Sequence, residues 1–207
     1  MSIYFETPSE QHLVNKRIAK DFIITNTAML QSLPAMEKLR DLAIYSINKK
    51  IQSLIIAATV PSATAPDHTI AYDSGTTLAL ADLLEVKELL DAQDVPMANR
   101  HMVVGAAQLN DLFNVTGFTS TDFGVSNAPL LNGGLPSQIL GFMPHFTSVA
   151  GNTSYYFHSS YQTIAAQQGM SVSEYDLGVD GKRARRINCD TLIGIKQLDN
   201  TRVVTLA

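Results

Sequence analysis

An α+β fold, with one long helix and a mainly β carboxyl end, is predicted by three features of the sequence. The stretch from Pro34 to Ala58 carries one continuous helical stripe. Two shorter amphipathic stretches, 78–92 and 106–113, also read as helices. The chain beyond Ser171 is mainly β in character, with a strong hairpin signal at Asp180-Gly181.

Taken in order, residues 1–31 hold one short β-branched run, Phe22-Ile23-Ile24-Thr25, which fits a strand. The long helix follows. Met36, Leu39, Ala43, Ile47, Ile51, Leu54 and Ala58 recur at steps of three and four, and Ile44 and Ile55 widen the stripe. Lys38, Arg40, Asp41, Asn48, Lys49 and Gln52 lie mostly away from it. Pro34 suits a first turn, where its missing N–H costs nothing, and Ser32 fits a cap. Pro61 ends the helix by forcing the residue before it out of the α region.

Residues 61–75 read as loop, with a short extended piece at Thr69–Tyr72. Thr77 is the expected cap of a second helix, with Leu80, Leu83, Leu84, Val86 and Leu90 inward. Asp82, Glu85, Lys87, Glu88 and Asp91 are expected outside, as solvated charge rather than a metal or acid–base cluster. His101–Gly105 fits a buried strand, and 106–113 a helix with Leu109, Leu112 and Phe113 inward. Residues 114–134 form a long Thr/Ser/Gly/Asn-rich connection, a kind usually functional or bound to a partner. Ile139–Met143 reads as a strand broken at Pro144, which belongs at an edge or bulge. Ser154–His158 is extended, and Tyr161–Gln168 reads as a helical piece. In the run from Arg183 to Leu198, Ile187, Cys189, Thr191 and Ile193 share one strand face, and Arg186, Asn188, Asp190 and Leu192 the other. Arg202–Leu206 closes the chain as a last strand.

The 207 residues suffice for one large domain or two small lobes without staples, and the single cysteine excludes an internal disulfide. No apolar run reaches membrane-spanning length. The amino terminus lacks a basic start followed by an apolar segment, so no signal peptide is expected. A net charge of −4 argues against a broadly basic nucleic-acid surface. Charged residues make up only 16% of the chain, against about 25% in an ordinary soluble domain. Either this is an accident of composition, or much of the surface meets other copies of the chain. The second reading is preferred, because charge is what usually keeps monomers apart.

Motifs for chemistry are missing. The histidines His12, His68, His101, His145 and His158 form no His-x-x-x-His pair, and no Cys-x-x-Cys set accompanies them. Neither a Gly-x-Ser-x-Gly elbow nor a glycine-rich phosphate loop is present. No catalytic, cofactor-binding or metal-ligating residue is therefore assigned, and no cofactor is expected. Cys189 reads as a small buried hydrophobe, and His101 is the histidine to watch. The densest basic cluster runs from Lys182 to Arg186. A solvated flank and a contact with a neighbouring subunit's carboxylates stay level as readings, with nucleic acid behind. Arg183, Arg185 and Arg186 are thus the candidate inter-subunit residues.

The order of parts resembles the major capsid proteins of tailed bacteriophages. In Leu83-Leu84, Leu89-Leu90-Asp91, Val95-Pro96, Arg100 and Val103-Val104, a helix ends in Val-Pro, an arginine follows, and a Val-Val strand leads to a short helix carrying Leu109 and Leu112. Asp122, Leu130-Leu131-Asn132-Gly133, Gly141-Phe142 and the closing stretch Leu192–Val204 continue the pattern, which covers roughly residues 27–207. The resemblance implies a two-lobed fold. A peripheral domain carries a long spine helix on a long antiparallel sheet, and a compact α/β axial domain completes the chain. Residues 1–75 would give the amino-terminal segment and spine, 76–165 the axial domain, and 166–207 the returning strands, the last of them axial. An amino-terminal arm and extended loop are also implied. About thirty residues precede the helix, too few for both at roughly 3.3 Å per residue.

The implied function is a non-enzymatic head subunit that assembles into hexamers and pentamers of an icosahedral shell around phage DNA. Non-specific DNA contact, portal and decoration proteins would be its partners, with assembly in the host cytoplasm and no membrane. An encapsulin-like shell holding cargo proteins is the first alternative. A small two-lobed enzyme or binding protein, with a pocket near His101 or His158, is the second.

Overall fold

The computed structural model describes residues 14–25, 33–73, 77–115, 138–176 and 184–207. The chain divides into two compact units. The first comprises Met1–Ile51 and Ile164–Lys196, the second Gln52–Thr163 and Gln197–Ala207. Both units mix helix and strand, which matches the expected α+β class.

The first unit is built on a three-stranded sheet in the order β1-β7-β6, formed by β1 (Lys16–Thr25), β6 (Gln162–Asp176) and β7 (Ala184–Gln197). β1 and β7 run antiparallel, with Lys16 opposite Ile193 and Phe22 opposite Ile187. Against one face lies helix α1 (Leu33–Ala57). Its 25 residues give a rod of about 37 Å at 1.5 Å per residue. The spacing of its apolar residues dictates which side is covered. Ala43 and Ile47 are fully buried against Ile187 and Cys189, and Ile51, Ile18, Phe22 and Val172 close the cluster. Asp41, Asn48, Lys49 and Gln52 are exposed, as the stripe requires. Cys189 sits inside this core, where burial pushes its thiol pKa up, so it acts as an apolar filler.

The second unit holds a five-stranded mixed sheet in the order β2-β8-β5-β3-β4. Its strands are β2 (Thr69–Ile70), β3 (Arg100–Val104), β4 (Phe142–Phe146), β5 (Ser154–His158) and β8 (Val203–Leu206). β3 pairs in parallel with β4 and antiparallel with β5, and β5 pairs antiparallel with β8. Met102, Val104, Phe142, Tyr156, Val204 and Leu206 form the core with helices α2 (Leu80–Ala92) and α3 (Ala106–Asn114), which contribute Leu83, Val86, Leu90 and Leu112. Pro144 sits in the outermost strand of this sheet, where a missing N–H leaves no ladder bond unmade.

Four local expectations are corrected. Tyr161–Gln168 is not helical. A 3-10 turn at Ser159–Tyr161 leads straight into β6, so sheet pairing overrides the helix-favouring Ala and Gln residues. Ile139–Met143 is not one strand. Leu140 and Gly141 adopt φ of 51° and 90°, making a two-residue turn closed by reciprocal hydrogen bonds between Ile139 and Phe142. Helix α2 starts at Leu80 with Ala79 at its cap, not after Thr77. Finally, Asp82 lies inside, not outside, while Leu80 and Leu84 are exposed. The Asp82 carboxylate accepts the backbone N–H groups of Ala79 (2.7 Å) and Asp73 (3.1 Å), which satisfies a buried charge at a helix amino end. The Asp180-Gly181 turn and the 114–134 connection, apart from its first two residues, lie outside the described residues.

Candidate functional site

The basic run expected to form one cluster is divided by strand geometry. Successive β residues point to opposite faces. Arg186 therefore shares the sheet face of Asp190 and pairs with Asp21 on β1. Arg185 lies on the other face, with its guanidinium 3.9 Å from Glu174 of β6. Arg183 lies outside the described residues. On the face away from α1, Arg17 donates to Asp190 at 2.7 Å, and Ser171 donates to the same carboxylate at 2.5 Å. The Ser171 and Arg17 hydrogen bonds hold the Asp190 carboxyl below its usual range. Most charge on this sheet is thus matched within the chain.

The outward side of α1 departs from the simple amphipathic pattern. Leu42 and Tyr45, one turn apart, are 55% and 62% exposed. Ile23 and Tyr175 on the sheet strands are also largely exposed. Sequence reading assigned Leu42 and Tyr45 to no role, although their offset from the buried stripe was available.

In the second unit, Arg100 is buried and ties α2 to β3. Helix α2 ends in a Schellman arrangement. Val95 donates its N–H to the Leu90 carbonyl, Asp94 donates to Asp91, and Asp94 takes a φ of 53°. The Arg100 guanidinium then takes the carbonyls of Val95 and Pro96 and lies 2.7 Å from the Asp91 carboxylate. It also lies over the Phe142 ring, 6.0 Å from the centroid. Hydrogen bonds from Lys87 and Arg100 hold the Asp91 carboxyl below its usual range despite partial burial.

His101 and His145 meet across β3 and β4, with His101 Nδ1 and His145 Nε2 3.0 Å apart. Burial, then the charges of His145 and His158, lower the His101 pKa. His158 is lowered by burial, then by Arg202 and Arg100, and its Nδ1 accepts the Ser160 N–H at 3.2 Å. Both rings are therefore harder to protonate in the fold than in the unfolded chain, where they gain protons below about pH 6.5. Stability from these two groups is complete above that pH and is lost as pH falls through it. Urea midpoints at pH 7.5 and 5.5 are expected to show the decrease, and His101→Gln is expected to flatten it. Among the described residues, no group of three or more His, Cys, Asp or Glu is placed to hold a metal ion. No described helix is long and apolar enough to cross a membrane.

The comparisons with known proteins bear on this arrangement. The family of phage capsid proteins matches residues 27–206. The chain belongs to that family. No curated protein matches the sequence. A protein of Mycobacterium phage Che8 superposes with a TM-score of 0.71 at 20% identity, covering 94% of this chain and 71% of that one. The capsid structure of the cyanophage P-SCSP1u gives 0.67 at 13%, covering 100% and 80%. The virus-like particle from Pyrococcus furiosus gives 0.61 at 14%, covering 93% and 76%. At these identities the superpositions show a shared fold, and the family match carries the function. This capsid protein is a structural, major head subunit of a bacteriophage virion.

Proposed function

We propose that this capsid protein forms hexameric and pentameric rings that close an icosahedral shell around phage DNA, with assembly in the host cytoplasm. The observation that carries this reading is the family match along 27–206 on a chain with a 25-residue helix packed on a three-stranded sheet. In this reading the first unit is the peripheral domain and the second the axial domain. The shell would hold together through many modest contacts repeated around closed rings, each gaining from the high effective concentration of its neighbours. DNA would be confined without specific contacts, as the net charge of −4 suits. Portal and decoration proteins are the remaining partners proposed, and catalysis has no part in the mechanism.

Negative-stain microscopy of the purified chain tests the proposal. Closed particles support it, and a persistent monomer across salt and concentration sinks it. The fold shared with the Pyrococcus furiosus particle favours one second reading, an encapsulin-like shell. The contents of native particles decide between the two, nucleic acid for the first and protein cargo for the second.

Arg183, Arg185 and Arg186 are proposed to meet neighbouring subunits in addition to any partner within the chain. Arg185 and Arg186 are about half exposed, so their guanidinium groups keep free donors. Replacing both with Gln is expected to cost the monomer no more than about 2 kcal/mol, the usual limit of about 1 kcal/mol for each of two exposed pairs. Particle yield is expected to fall severalfold. Equal yield at unchanged stability would remove these residues from the interface.

A further inference from the structure

We propose that His101 and His145 form a two-histidine site for a divalent transition-metal ion of the copper(II), nickel(II) and zinc(II) class. β3 and β4 run parallel, with His101 opposite Met143 and His145 opposite Val103. The two histidines are therefore diagonal neighbours on one face of the sheet, since residues two apart on a strand point the same way. Their rings are 5.2 Å apart between centroids and inclined by 33°. The Phe157 ring lies 5.7 Å from His101 on its other flank and steadies the imidazole.

The spacing of the facing nitrogens is what an ion needs. With metal–nitrogen bonds of about 2.0–2.1 Å, two ligands at a right angle stand about 2.9 Å apart, and at the tetrahedral angle about 3.4 Å. The observed 3.0 Å lies within that range. Without an ion, one ring donates its N–H to the other. When an ion binds, that proton moves through water to the far nitrogen of the same ring. Both facing nitrogens then offer lone pairs, and no net proton is released. His145 is exposed and His101 half-buried, so an ion reaches the pair from solvent.

The chemistry also sets limits. No third His, Cys, Asp or Glu joins the pair among the described residues, so the site is bidentate and its ion exchangeable, with water in the other positions. Two imidazoles select borderline ions and offer nothing to magnesium or calcium, which take oxygen ligands. Copper(II) should bind more tightly than nickel(II) or zinc(II). Because β4 is the outermost strand of its sheet, a bound ion would clip that strand to β3.

The test uses the unassembled full-length chain at pH 7.5 in a non-coordinating buffer, titrated with copper(II) chloride. Calorimetry and electron paramagnetic resonance are the readouts. The expected result is one copper per chain with coupling to two imidazole nitrogens, and at least a tenfold loss of affinity in His101→Gln and in His145→Gln. Magnesium chloride should give no binding heat. Copper affinity unchanged from the wild type in both variants, or a wild-type spectrum without two-nitrogen coupling, overturns the proposal. Should either variant fail to fold, nitrogen NMR of the wild-type chain with zinc chloride replaces it. Zinc-dependent shifts at His101 Nδ1 and His145 Nε2 support the site, and unchanged resonances refute it.

Discussion

Replacing Arg100 with Ala is expected to destabilise the second unit by about 3 kcal/mol, toward the lower end of what breaking a buried ion pair costs. The lower end applies because the Asp91 side chain is 31% exposed and keeps Lys87 at 2.7 Å, so water and the ammonium compensate in part. What cannot be compensated is the loss at the helix end. The carbonyls of Val95 and Pro96 lose their charged donor, and a space opens over the Phe142 ring where the guanidinium lay. Arg100→Lys should recover less than half of the loss, since one ammonium cannot reach two carbonyls and a carboxylate in a planar fork. Thermal unfolding is the measurement. At about 2–4 °C per kcal/mol for a chain of this size, the Ala variant should melt roughly 6–12 °C lower. A shift under 2 °C would show that Arg100 is an incidental buried cation and not the tie between α2 and β3.

Arg100 also marks the limit of what the sequence discloses. Its place after Val95-Pro96 was part of the resemblance, but nothing in a pattern of apolar and polar residues predicts a buried guanidinium. Helix α1 was legible because its signal is local. Each turn repeats the same choice of apolar residue, and the buried pair Ala43 and Ile47 lies on the predicted stripe. Helix α2 was legible in extent but misread in phase. The rule that charges face water fails at Asp82, whose carboxylate is held by two backbone N–H groups. With Asp82 inside, Leu80 and Leu84 turn outward. β6 was hidden by its composition, since Thr163 to Gln168 favours a helix until β7 supplies a partner. The pairing of His101 with His145 depends on two strands 44 residues apart lying in parallel register, and no local spacing encodes that. The candidate arginines were found, but their separation onto opposite sheet faces follows only once β7 is fixed.

Breaking α1 is expected to have the largest effect on assembly. Ala43 faces the sheet at the middle of the helix and is fully buried. Ala43→Pro removes a helical hydrogen bond and sets the ring against the preceding turn, at a cost of about 3 kcal/mol or more. Among the described residues, few groups stand ready to absorb that loss, because the core they form in the first unit is small. Among those residues it comprises Ala43, Ile47, Ile187 and Cys189, with Ile18, Phe22, Ile51 and Val172 around them. Ile47→Ala should cost about 2–5 kcal/mol by the same accounting of lost contacts and residual cavity. The second unit has a separate core, so its amide protons should stay protected in hydrogen exchange while those of β1 and β7 lose protection. Particles should be absent from Ala43→Pro and sparse in Ile47→Ala. Wild-type particle yield from Ala43→Pro would mean that the helix does not brace the subunit. Substitution on the outward side separates bracing from contact. Leu42→Ser and Tyr45→Ser should leave stability within about 0.5 kcal/mol of the wild type, since both side chains are mostly in solvent. A fall in particle yield at unchanged stability places that side of the helix in an interface between subunits. An unchanged yield leaves α1 with the internal role alone.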